Sequence, residues 1–173
     1  MLYNDLRVTD PGGGKMFRIG DKVVYPMHGA GIIEGVEEKE ILGEKRKYFI
    51  LRLPLKNMKV MLPVDNVETI GLREIIQDDA IDEVFSVLRE EGIELQQNWN
   101  RRYRNNMEKV KSGDIFEVAM VVRDLIHMER EKGLSTGERK MLNNTKQILI
   151  SEIVLVMEQD EKAIEKMIET SVH

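Results

Sequence analysis

The hydrophobic period of this chain changes once, near Gly71, and the change divides it into two modules of different kind. Before Gly71, apolar residues alternate or cluster in short runs bounded by Pro, Gly and Asn, the pattern of strands. After it they recur every three or four residues, the pattern of helices packed on a common core. A chain of 173 residues can hold one ordinary domain or two small ones. The expected class is therefore α+β, a small antiparallel β barrel over 16–67 followed by an all-α helical bundle over 72–170.

In the first module, residues 21–26 (DKVVYP) read as a short strand stopped by proline, and His28-Gly29-Ala30-Gly31 as a turn. Residues 32–41 form a second strand with interleaved charges, and Leu42-Gly43-Glu44 a tight hairpin turn. Residues 48–53 (YFILRL) are a dense β run, Lys56-Asn57 a turn, and 58–62 (MKVML) a further strand. Strands this short and close suggest a small curled barrel with a partly open edge, able to accept another protein's strand. Residues 1–15 carry Pro11-Gly12-Gly13-Gly14 and are expected as a disordered extension, with Met16 opening the patterned chain as a candidate natural start.

In the second module, residues 72–76 read as one helical turn, followed by a helix over 79–91 with Ile81, Val84, Phe85 and Leu88 on one face. Residues 93–97 are a linker. Asn98 can cap a helix running to Lys111. Asp114 with Glu117, and Ser135 with Glu138, have the spacing of capping boxes. Residues 148–157 are apolar nearly all round and should lie in the central buried helix. A charged, weakly amphipathic helix closes the chain over 160–170.

Composition restricts the chemistry. The chain has no cysteine, so thiolate metal sites and disulfides are excluded, which fits a reducing cytoplasmic setting. Its longest apolar stretch is too short to span a bilayer. His28, His127 and His173 are far apart and lack metal-ligand spacing. Gly29-Ala30-Gly31 begins a dinucleotide fingerprint, but Glu34 replaces the third glycine and a strand follows in place of a helix. No catalytic constellation emerges, and no enzyme activity, cofactor or metal is expected.

One stretch departs from the rest. The net charge is −5, yet residues 98–111 (NWNRRYRNNMEKVK) hold five basic residues and one acidic one, beside the only tryptophan, Trp99. An acidic chain cannot coat DNA by charge alone, because non-specific affinity comes from phosphate neutralisation. A local basic patch with a flat ring can still act, the ring wedging at a base step while Arg101, Arg102 and Arg104 hold phosphates. Arg139 and Lys140, at the start of the helix after Ser135, offer a second anion contact. A competing reading makes the chain a protein–protein interaction module without direct DNA binding, with Trp99 at the end of the stripe Trp99, Tyr103, Met107 and Val110, packed in the core.

Met16-Phe17-Arg18-Ile19-Gly20-Asp21-Lys22-Val23-Val24-Tyr25-Pro26, then His28-Gly29, resembles the start of the CarD-family bacterial transcription regulators. The second module agrees, with Asn98-Trp99-Asn100-Arg101-Arg102-Tyr103, Ser112-Gly113-Asp114, Val121-Val122-Arg123-Asp124-Leu125, Gly133-Leu134-Ser135 and Gly137-Glu138. The first motif also occurs in the transcription-repair coupling helicase, so the second carries the specificity. The resemblance implies a Tudor-like domain that docks on the β subunit of RNA polymerase through an edge at Lys39, Glu40, Ile41 and Met61. It implies a helical domain that meets promoter DNA near the upstream edge of the transcription bubble. There Trp99 would wedge into the minor groove and stabilise the open complex, with Arg101, Arg102 and Arg139 on the DNA side. Met61 stands where a basic residue is often found, and Glu40 adds a negative charge. A monomer is expected, since no heptads demand a dimer.

Overall fold

The computed structural model describes residues 17–92 and 98–173. Residues 1–15, Met16 and the linker 93–97, on which expectations were placed, lie outside the described residues. The first module is a five-stranded antiparallel sheet, built from β1 (Lys22–Tyr25), β2 (Gly29–Ile41), β3 (Glu44–Leu53), β4 (Met58–Pro63) and β5 (Arg73–Glu74). Their order across the sheet is β4-β3-β2-β1-β5. Short helix α1 (Val67–Ile70) leads into β5.

The β2–β3 hairpin turns through Leu42 and Gly43, both with positive φ, at 53° and 81°. This two-residue turn has the twist that right-handed strands require. The register slips between Ile33 and Gly35, a bulge at Glu34. There the Glu34 carboxylate bridges Arg52 on β3 at 2.6 Å and Lys59 on β4 at 2.9 Å. The Lys59 hydrogen bond, then the two cationic neighbours, hold its pKa below the usual carboxylate value. Phe17, Val23, Ile33, Phe49, Leu51, Leu53, Leu62, Val67 and Leu72 fill the core of this module.

Two local expectations need correction. The first turn is Pro26–Met27–His28, and Gly29 already pairs with Tyr25 at the start of β2. Its glycines serve close approach: a Cβ on Gly29 would lie 2.8 Å from Ser151 Oγ, and one on Gly31 would strike the Arg52 carbonyl. The helical turn expected over 72–76 lies instead at α1, and Gly71 ends it with φ 82°. Arg73 and Glu74 form β5 because the outer edge of β1 offers unpaired backbone groups, with Val24 opposite Arg73 and Val23 opposite Glu74. A two-residue strand has no period of its own to reveal it.

The second module comprises α2 (Ile81–Arg89), α3 (Trp99–Lys111), α4 (Ile115–Glu131), α5 (Thr136–Met157) and α6 (Glu161–Ser171). Each helix from α3 onward starts at a side-chain cap: Asn98, Asp114, Ser135 and Asp160 accept from amides of the first turn. Leu125, Leu149, Ile150, Ile153, Ile164 and Ile168 are fully buried at its centre.

The modules are joined by buried contacts. Met27, Leu55 and Ile76 pack on the helical core. The Ala30 amide donates to Ser151 Oγ at 2.8 Å. Arg73 reaches from β5 to Glu152 on α5 and to the Gly113 carbonyl between α3 and α4. Lys22 Nζ donates to the Leu155 carbonyl at 3.2 Å.

Candidate nucleic-acid interface

The starts of α3 and α5 meet at one end of the helical module. Asn98 Oδ1 accepts from the Arg101 amide at 2.9 Å, which fixes the first turn of α3 and places Trp99 at its first position. The indole is 43 % exposed. One face stacks on Tyr103, with centroids 5.2 Å apart and planes 22° from parallel. Its Nε1 donates to Ser135 Oγ, the cap of α5, at 2.9 Å. The stripe Trp99, Tyr103, Met107 and Val110 is graded: Val110 is buried, Tyr103 and Met107 are partly buried, and Trp99 is exposed.

The basic residues divide into two groups. Arg101, Arg104 and Lys140 are exposed. Arg139 is exposed too, with a loose ion pair to Glu129 at 3.5 Å. Arg102 differs: its side chain is only 14 % exposed, and its Nε donates to Glu138 Oε1 at 2.6 Å. Glu138 is 3 % exposed and occupies the first turn of α5, where the helix dipole favours a carboxylate. At the α5 start the Glu138 amide donates to Ser135 Oγ at 3.2 Å, and the Glu138 carboxylate is engaged by Ser135 Oγ and Arg102. The capping box was visible in sequence, but its partners Trp99 and Arg102, 36 residues away, were not.

The residues expected at the polymerase edge lie on both sides of the sheet. Lys39, Glu40 and Ile41 lie on the outer half of β2 and pair with Arg46, Lys45 and Glu44 of β3. Beyond Ile32, β2 has no strand on its other side among the described residues, because β1 is short. Met61 lies on β4, the terminal strand on the opposite flank. Ile41 is 51 % exposed, Met61 36 %, and Leu42 at the hairpin tip fully exposed.

His28 stacks on Tyr25, with centroids 4.1 Å apart. Burial, then the charge of Lys56, holds its pKa below the ordinary value. His127 lies near the His173 carbonyl and Glu131. Among the described residues no group of His, Asp or Glu could hold a metal ion. None of their helices is long and apolar enough to cross a membrane.

Comparison with known proteins agrees with this two-part architecture. The family model for the CarD C-terminal domain matches residues 83–169, and that for the CarD-like/TRCF RID domain matches residues 17–76. The chain belongs to the CarD family. It is thus related to transcription factors that carry an RNA polymerase-interacting domain. A relative, the putative transcription factor YdeB of Bacillus subtilis (strain 168), is 42 % identical over 149 residues, covering 86 % of this chain and 97 % of that protein. The solution NMR structure of the 72-residue N-terminal domain of Myxococcus xanthus CarD is 33 % identical, covering 33 % of this chain and 76 % of that one, with a TM-score of 0.29.

Proposed function

We propose that this CarD-family protein bridges RNA polymerase and promoter DNA and stabilises the open complex. The sheet module docks on the polymerase β subunit through Lys39, Glu40, Ile41 and Met61. The helical module presents Trp99 to the minor groove near the upstream edge of the bubble, with Arg101, Arg104, Arg139 and Lys140 against phosphates. The observation that carries this reading is Trp99 itself, the only tryptophan, 43 % exposed at a helix start with exposed arginines on the same turns. A purely structural role for Trp99 fits that exposure poorly, since core rings are largely buried.

Charge makes the tether necessary. At net charge −5 the free protein binds DNA weakly. Docking on polymerase raises the local DNA concentration to roughly millimolar. The wedge then acts where DNA is already unstacking, which costs only a few kcal/mol per step. The buried contacts between the modules support transmission of position from the docking sheet to the ring. Promoter choice follows from polymerase and from DNA deformability. The test is open-complex lifetime under competitor challenge. Trp99→Ala shortens it while polymerase binding persists; an unchanged lifetime removes the wedge from the mechanism.

A further inference from the structure

Trp99 is exposed, yet its one polar atom is bonded within the protein. An indole has a single donor and no acceptor. That donor is used on Ser135 Oγ at 2.9 Å. Ser135 Oγ also accepts from the Glu138 amide at 3.2 Å and donates to Glu138 Oε2 at 3.3 Å. A hydroxyl offers one donor and two acceptor positions, so all three are filled. The other Glu138 oxygen, Oε1, takes the Arg102 Nε at 2.6 Å. A closed chain of bonds thus runs from Trp99 through α5 and back to α3.

Packing holds the ring in the same pose. Tyr103 stacks on one face. Gly137 of α5 borders the indole, so that a Cβ there would meet the ring at the ordinary contact distance of 3.4 Å. The surface left to solvent is hydrocarbon. From these contacts we infer that Ser135, Glu138 and Arg102 are positioning residues for Trp99, locking it as an apolar blade that reads no base.

The inference rests on the wedge reading and sharpens it. A ring without a free N–H cannot hydrogen-bond a base edge, so it senses only how easily a step opens. A ring ordered before contact loses less conformational freedom when it inserts. Arg102 leaves the set of phosphate contacts, because its guanidinium faces a buried carboxylate in place of solvent.

Trp99 is the only tryptophan, so its fluorescence anisotropy decay reports the ring in the intact protein. Ser135→Gly removes the hydroxyl while leaving a tolerated helix cap. It should release a fast ring motion and shorten open-complex lifetime by about three- to tenfold, the span of one lost hydrogen bond. Ser135→Thr should restore both. In a Trp99→Phe background Ser135→Gly should have no further effect on lifetime, since the bond it breaks is already gone. The double variant Arg102→Met with Glu138→Leu should keep the wild-type salt dependence of lifetime, whereas Arg104→Gln lowers that slope by about one. Unchanged anisotropy and lifetime in Ser135→Gly, alongside a shortened lifetime in Trp99→Ala, would overturn the lock and leave the wedge standing. A lifetime indifferent to Trp99→Ala overturns the wedge, and the functional half of the lock with it. A reduced salt slope in the double variant returns Arg102 to the phosphate contacts.

Discussion

Arg73 on β5 grips the buried carboxylate of Glu152 on α5 through two parallel bonds, NH1 to Oε1 at 2.7 Å and NH2 to Oε2 at 2.8 Å. The same arginine donates its Nε to the Gly113 carbonyl at 2.8 Å, and Glu152 Oε1 also accepts from the Ile76 amide at 3.0 Å. One ion pair therefore joins the outer strand of the sheet, the α3–α4 junction and the central helix. This ion pair is one of the buried contacts that fix how the sheet meets the helical module.

Arg73→Met would leave Glu152 buried with a single amide partner. Stranding one member of a buried pair costs about 3–5 kcal/mol. Urea unfolding should show that loss, with two separate transitions in the variant and one in the intact protein. Adding Glu152→Leu removes the stranded charge and should recover most of the stability but not the coupling.

Trp99→Ala should destabilise by no more than about 1–2 kcal/mol. Truncating a fully buried aromatic costs about 3–5 kcal/mol, and this ring is 43 % exposed. A chemical-denaturation midpoint near the wild-type value, with a shortened open-complex lifetime, is the expected pair of results.

Gly29→Ala should destabilise by about 1–3 kcal/mol through overpacking. Gly29 has φ 109°, and an added Cβ would press on Ser151 Oγ at 2.8 Å, the group that accepts from Ala30. Hydrogen exchange at the Ala30 amide should accelerate more than exchange elsewhere in the sheet.

His28 gives the stability a small acid dependence. Burial chiefly, and then Lys56, keeps its pKa below the ordinary 6.5. The folded protein thus binds this proton less readily than the unfolded chain. The stability linked to His28 is complete above about pH 6.5 and declines as pH falls toward the folded value. Urea midpoints compared at about pH 7.5 and about pH 5.5 should fall less for His28→Asn than for the wild type.

Ile41→Asp should abolish capture of the polymerase β subunit without moving the melting temperature. Its side chain is 51 % exposed at the end of β2, where substitutions change stability by about 0.5 kcal/mol or less. Retained capture would place the docking edge elsewhere, with Met61 on the opposite flank the next position to test.

Much of the fold was legible along the chain because its causes are local. The Leu42-Gly43 turn, the caps at Asn98, Asp114 and Ser135, and the apolar run inside α5 each depend on neighbours within a few residues. Strand β5 and the role of Gly29 were not legible, because each answers to a distant partner: β1 for Arg73 and Glu74, Ser151 for Gly29. The same division runs through the candidate site. The stretch around Trp99 stood out by composition, but Arg102 could not be told from Arg101 and Arg104 until α5 brought Glu138 beside it.

By itself the sequence determined two modules, their helix starts, and a basic aromatic exception in an acidic chain, since period, capping and charge are properties of adjacent residues. Tertiary structure alone decided which way Trp99 faces and which arginine turns to Glu138. Those outcomes depend on the approach of α3 to α5, where residues 36 positions apart close a set of hydrogen bonds that no local pattern encodes.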